Sequence, residues 1–252
     1  MLLGIIRYAV PNAFMNTNKS RNVVQLYEEP YFSDRFNIFK NITLKSFENQ
    51  TNKDFILLVY HTSLIPADKK RLFDELEEKY SFMRNVYVND TNLIIPDDLK
   101  TNPLFTFRID NDDGIASDFI CKLKSVENLD MLDVAITIPH MHKICRIDEN
   151  EYKIVALDYV SNSIGLAYLS SEDKTVIELG DHSRVAKNFN TIRLDGNGGL
   201  QTINSYNVAN KFKHNADRNR SEEYIFNQEE AKQFLIKENY GELDITCLPI
   251  MK

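Results

Sequence analysis

Four short apolar runs in the first 110 residues, at 2–6, 55–60, 85–88 and 104–110, alternate with stretches of helical period. Between the first two, residues 35–50 bring Phe36, Phe39, Thr43 and Phe47 onto one helical stripe. Between the second and third, residues 68–80 do the same with Leu72, Phe73, Leu76 and Tyr80, and Pro66 ahead of them suits a helix opening. Continuous apolar strands separated by helices are the pattern of a mainly parallel sheet covered on both faces. The expectation is a doubly wound, Rossmann-like α/β core, in which ligands bind at the carboxyl ends of the strands. The residues that follow each run are therefore the ones to inspect: Arg7 and Tyr8, His61 and Thr62, Asn89 and Asp90, and Asp110 to Asp113.

The second half reads differently. Residues 131–138, 153–157 and 164–169 are strand-like with short links, and Asp148-Glu149-Asn150-Glu151 reads as a hairpin turn. This predicts an antiparallel extension, giving a mixed sheet within one domain over 1–252. Near the end, Asn227 is placed to cap a helix, with Glu230 reaching back and Gly241 as the stop.

The 252 residues are 43% hydrophobic, enough for a core that needs no staples. A formal charge of -7 argues against a chain whose business is coating nucleic acid, because that affinity comes from clustered Lys and Arg. Cys121, Cys145 and Cys247 are too far apart to form a disulfide framework or a CxxC site, which suits a reducing, cytoplasmic compartment. Arg7 interrupts the apolar start too early for a signal-peptide core, and no run reaches the ~20 apolar residues of a membrane span, so membrane contact is expected to be peripheral, at the inner face. Lys211, Lys213, His214, Arg218 and Arg220 form a basic stretch that suits a diphosphate, an anionic headgroup or plain solvent.

Asp110, Asp112 and Asp113 put three carboxylates within four residues, directly after the buried run Leu104-Phe105-Thr106-Phe107. Like charges that close repel unless something positive lies between them. Hard oxygen ligands suit a divalent cation such as Mn or Mg, whose shell a diphosphate can complete, with Arg108 beside it to neutralise phosphate. The same letters also spell a solvated turn. Downstream, His182 is the candidate third metal ligand and Asp181 a candidate base, in a polar stretch that equally well holds neither. His140 and His142 share a face if extended, without a carboxylate or Cys at ligand spacing. An aspartate pair after an apolar run also fits a phosphatase of the haloacid dehalogenase type, although there it normally closes the first strand of the core.

Several segments together resemble bacterial rhamnosyltransferases, which are similar to the wider GT-A class of glycosyltransferases. They are Arg35-Phe36, the stretch Thr43-Leu44-Lys45-Ser46-Phe47-Glu48-Asn49-Gln50-Thr51-Asn52-Lys53-Asp54-Phe55 with the strand after it, Phe107-Arg108-Ile109-Asp110-Asn111-Asp112-Asp113, and Asp118-Phe119. A fainter echo lies at 200–208, where Gly199 and Asn204 stand in place of an expected aromatic and His. The resemblance implies a GT-A-like fold with a nucleotide-sugar-binding half over 1–125 and an acceptor-side half over 126–252. It further implies that Arg7, Tyr8, His61, Arg108 and Asp110 face a nucleotide-diphosphate sugar, that Asp110, Asp112 and His182 hold the metal, and that Asp113 or Asp181 serves the chemistry. The acceptor would be a glycan or lipid-linked glycan of bacterial surface polysaccharide. A GT-A scaffold that binds sugar without turnover is the non-catalytic alternative.

Overall fold

The computed structural model describes residues 1–10, 25–89, 93–127, 131–159, 163–204 and 220–251. Asp90, residues 205–219, which include most of the basic stretch, and the side chain of Arg220 lie outside this description.

The four early apolar runs become the parallel strands β1 (Leu2–Ala9), β2 (Phe55–Thr62), β3 (Met83–Val88) and β4 (Leu104–Arg108), side by side in the order β3, β2, β1, β4. β1 lies at the centre, with Leu2, Leu3, Ile5 and Ile6 no more than 1% exposed. Full burial of each such side chain contributes roughly 1.5–3 kcal/mol. Beyond β4 the antiparallel strand β9 (Ala167–Ser170) separates it from β6 (Val134–Thr137), and β10 (Thr191–Arg193) completes seven strands.

The helical stripes cover one face. α1 (Tyr31–Ile38) continues through a π-helical stretch, Phe39–Leu44, into α2 (Lys45–Glu48), and buries Phe39, Leu44 and Phe47. α3 (Ala67–Lys79) buries Phe73 and Leu76 in the same cluster. The link from β3 to β4 crosses the opposite face, where Leu99 of the short turn Asp97–Leu99 is buried with Leu3, Ile5 and Leu58. That face is completed by the 3-10 turn Val176–Leu179 and α5 (His182–Asn188), through Val176, Leu179 and Val185. The winding therefore reverses between β1 and β4, as in a doubly wound sheet.

The antiparallel extension is more than an extension. β5 (Gly114–Ile115), β7 (His140–Arg146), β8 (Glu151–Asp158), β11 (Asn197–Thr202) and β12 (Arg220–Asn227) form a separate five-stranded sheet, in the order β12, β8, β7, β11, β5. β7 and β8 are the expected hairpin around 147–150. α4 (Phe119–Lys124) follows β5, and α6 (Gln228–Lys237) packs Ala231 and Leu235 against this sheet. Asn227 caps α6 with Glu230 in a reciprocal box, as its spacing predicts. The stop is Asn239, at φ 69, rather than Gly241, because the helix already ends at Lys237. No helix among the described residues is long and apolar enough to cross a membrane.

Candidate functional site

The winding reverses between β1 and β4, which is where a doubly wound sheet places its ligand site, at the carboxyl ends of the strands, and the first two site residues stand on these two strands. Ile5 pairs with Arg108 and Arg7 with Tyr60. Paired residues share a face and side chains alternate, so Arg7 and Arg108 both stand on the face covered by Val176–Leu179 and α5. The Arg108 side chain is 11% exposed, with Nη2 3.6 Å from Asp110 Oδ1. Burial and the neighbouring charge of Arg108 push the pKa of the part-buried Arg7 below its ordinary value, while Asp110 pulls it up. His182, in the first turn of α5, is held below its usual pKa by burial and by Arg108, with Asp181 and Asp110 acting in the other direction. The structure thus brings Arg7, Arg108, Asp110 and His182 together.

Asp181 reaches the same rim in a different capacity. Its Oδ1 accepts the Ser183 N–H at 2.9 Å and caps α5, and this bond lowers its pKa. A carboxylate committed to a helix end and made more acidic is a poor base, so the base expectation is not supported at Asp181. The polar stretch read as a loop is the start of this helix.

Tyr8 and His61 point the other way, into the aromatic layer under α1 and α3. Tyr8 packs edge-on against Phe73 and Phe39 at 4.6 and 5.3 Å, and its buried hydroxyl has no partner among the described residues. His61 is 0% exposed, 4.2 Å from the Phe73 ring, with Nε2 3.2 Å from Asn85 Oδ1. Burial pushes its pKa down to about 3, so it is a neutral core histidine. In this geometry both side chains lie on the opposite face of the sheet from Arg7 and Arg108, which corrects the expectation that the ends of β1 and β2 present them together with Arg7 and Arg108 to a donor.

The acidic turn does not converge on one point. Asp110 faces Arg108. Asn111 is buried, and its Oδ1 accepts both Nε and Nη2 of Arg35, at 3.0 and 2.6 Å, while Nη1 of that arginine donates to the Tyr31 hydroxyl. Asp112 lies in the field of Arg35, and its carbonyl accepts the Thr202 hydroxyl at 2.7 Å. Asp113 is 1% exposed; its Oδ1 accepts the Thr202 N–H at 3.0 Å and its Oδ2 has no partner among the described residues. Burial, then Asp112 and Asp110, raise the Asp113 pKa well above the carboxylate range. Lys143 of β7 faces it, and burial lowers the pKa of that amine.

The repulsion among three neighbouring carboxylates is thus met by Arg108 at Asp110 and by Arg35 at Asp112, and at the buried Asp113 by a raised pKa. Among the described residues no group of three or more His, Cys, Asp and Glu side chains is gathered in a form that suits a metal ion. His182 shares the field of Asp110 but does not complete the expected triad with Asp112. Asp110 and Asp112 both keep part of their surface exposed, and their carboxylates are hard oxygen donors of the kind a Mn or Mg ion takes.

Arg35, Asn111 and Thr202 entered the sequence reading only as members of the resembling segments, with no site role, and Lys143 not at all. A signal for Arg35 was present: it follows Tyr31 and precedes Phe39 at four-residue spacing, a lone cation on a buried helical stripe. His140 and His142 do share a face of β7, where His140 Nδ1 meets Asp158 at 2.8 Å and His142 Nδ1 meets the Tyr240 hydroxyl at 3.0 Å.

A family model described as "Putative rhamnosyl transferase" matches residues 1–216. No curated protein matches the chain. Among solved structures it is similar to the crystal structure of S. aureus TarS 1-349, at 13% identity and a TM-score of 0.45, covering 80% of this chain and 60% of that one. A second S. aureus TarS structure matches at 10% identity and a TM-score of 0.43, over 81% of this chain and 37% of that one. The chain thus spans less than two thirds of the length of either.

Proposed function

Because the chain belongs to the rhamnosyl transferase family whose model matches its residues 1–216, we propose that it transfers a sugar from a nucleotide-diphosphate donor to a glycan or lipid-linked glycan acceptor. Rhamnose is the sugar that the family description suggests, and bacterial surface polysaccharide is the pathway in which such a product belongs. The observation that carries the reading is the gathering of Arg7, Arg108, Asp110 and His182 at the topological switch point between β1 and β4.

In the reaction the acceptor hydroxyl oxygen bonds to the anomeric carbon, and the bond from that carbon to the diphosphate oxygen breaks with its electron pair. The hydroxyl proton passes to a base. Arg108 and Arg7 face the negative charge that develops on the leaving diphosphate. A Mn or Mg ion, when held by Asp110 and Asp112, would add Lewis-acid charge at the same phosphates. Of the two carboxylates put forward as base, Asp113 remains the candidate, since Asp181 is spent on the helix cap and made more acidic by it.

Nothing favours the phosphatase reading, since the acidic pair follows the fourth strand rather than the first and Asp110 is engaged by Arg108. The test is a thermal-shift screen of nucleotide sugars with and without Mn, because a ligand selective for the folded state raises the melting temperature. A shift that Asp112→Ala abolishes while the apo chain stays folded supports the reading. No shift with any nucleotide sugar, or phosphate release from a phosphate ester with Mg, refutes it.

A further inference from the structure

β7 carries two imidazoles that the transferase reading does not use. His140 and His142 are two residues apart on a strand, so both side chains stand on one face. Lys143, one step further along, takes the other face, toward Asp113. The histidine face is the one that α6 and the chain after it cover: the His142 ring lies 5.3 Å from that of Phe234 and 5.6 Å from that of Tyr240. The sheet therefore stands between this pair and the acidic turn.

Both rings are held by the same nitrogen. His140 Nδ1 meets Asp158 Oδ1 at 2.8 Å, directly opposite on β8. His142 Nδ1 meets the Tyr240 hydroxyl at 3.0 Å, and that hydroxyl donates its only proton to the Gly199 carbonyl at 2.7 Å. A carboxylate, and a hydroxyl so engaged, can only accept, so each Nδ1 carries the proton. Each Nε2 is left with a lone pair, and neither has a hydrogen-bond partner among the described residues.

An imidazole whose other N–H is anchored on an oxygen acceptor is the form in which proteins present histidine to a metal ion. Burial, with His140 alongside, pushes the His142 pKa down to about 4, so the ring is neutral at pH 7, as a ligand must be. The two ring centres are 5.3 Å apart. Two imidazoles on one tetrahedral zinc, with Zn–N at about 2.0–2.1 Å, hold their centres roughly 5.2 Å apart. Glu238, at the end of α6, adds a negative field at His142, and its Oε2 accepts from Asn197 at 3.1 Å. No third His, Cys, Asp or Glu is gathered with the pair in ligand geometry among the described residues, so water would fill the remaining positions.

We propose that His140 and His142 bind a borderline divalent transition metal such as zinc, at an open two-imidazole site on the α6 face of the second sheet. Imidazole suits zinc, copper and nickel, whereas Mg and Mn prefer oxygen. The pair and the acidic turn therefore select different ions, and this site stands whether or not the transferase reading does.

The experiment is calorimetric titration of the full chain with zinc chloride, after stripping with EDTA and dialysis into excess Mg. The wild type is expected to bind one zinc ion. His140→Gln and His142→Gln are each expected to bind at least about tenfold more weakly, Asp158→Ala roughly 10–100-fold more weakly through loss of the anchor on Nδ1, and Asp112→Ala as the wild type does. His140 is 36% exposed and Asp158 66%, so those two variants keep the test open if His142→Gln fails to fold. Copper in place of zinc should give an electron paramagnetic resonance spectrum coupled to two imidazole nitrogens in the wild type and to fewer in His140→Gln. No zinc binding by the wild type, unchanged binding by His140→Gln, or loss of binding in Asp112→Ala overturns the proposal.

Discussion

Arg35 sends two nitrogens to a single oxygen of Asn111, Nε at 3.0 Å and Nη2 at 2.6 Å, across 76 residues of sequence. The same asparagine donates to the Tyr8 carbonyl at 3.4 Å, so α1, β1 and the acidic turn are tied at one side chain. Replacing Arg35 by Ala leaves a buried oxygen unsatisfied, and Lys offers it a single ammonium in place of the fork. The expected loss is about 1–3 kcal/mol of stability, read from the urea midpoint. A Lys variant as stable as the wild type would show that charge alone, not the fork, holds the turn.

Thr202 fixes the other side of that turn through its N–H on Asp113 and its hydroxyl on the Asp112 carbonyl. Thr202→Val keeps the shape and the N–H but loses the hydroxyl, and is expected to cost about 1 kcal/mol. Thr202→Ser restores the bond. Equal stability of the Val and Ser variants would count against a role for the hydroxyl in holding the turn.

Two buried histidines make the fold sensitive to mild acid. Burial pushes His61 down to about 3 and, with help from His140 and against Glu238, His142 down to about 4. Both values lie below the unfolded value of about 6.5. As pH falls from 6.5 toward 4, the unfolded chain takes up protons that the native chain refuses. Stability is therefore full above pH 6.5 and declines below it, by about 1.4 kcal/mol per pH unit for each histidine. Urea midpoints between pH 7 and 5 measure this slope, and His142→Gln should flatten it; an unchanged slope would rule His142 out as a source.

Gly165 sits at φ +71 and donates its N–H to the Arg108 carbonyl at 2.9 Å. An added Cβ would lie 2.4 Å from a Phe119 ring carbon. Gly165→Ala combines a disfavoured backbone conformation with overpacking and is expected to cost about 1–3 kcal/mol. Because it also displaces the backbone of Arg108, binding of a nucleotide-diphosphate sugar should weaken in parallel. Full retention of both stability and binding would show that the loop yields without moving the arginine.

The parts of the fold written in local pattern were readable. The four apolar runs gave β1 to β4, and the spacing of Asn227 and Glu230 gave a capping box that the structure contains. Side-chain direction was harder. Tyr8 and His61 follow apolar runs just as Arg7 does, yet a bulge after Arg7 and strand alternation turn them into the aromatic layer. The acidic turn was legible as a cluster but not as a divergence, because Arg35, Thr202 and Lys143 reach it from distant parts of the chain. The second sheet was hidden for the same reason: short strands declare themselves in sequence but not their partners. Asn239 took the left-handed position expected of Gly241, a substitution that Asn tolerates better than most residues.

The insertion of β9 between β4 and β6 governs how the molecule can be assembled as it is synthesised. β1 to β4 emerge first and can pair among themselves, but one flank of β4, with Phe105 and Phe107, stays bare until residues 167–170 have been made and can reach it. For roughly sixty further residues the nascent chain carries an open, apolar strand edge, the feature that most readily recruits other chains. A fragment ending near residue 125 would keep that edge permanently.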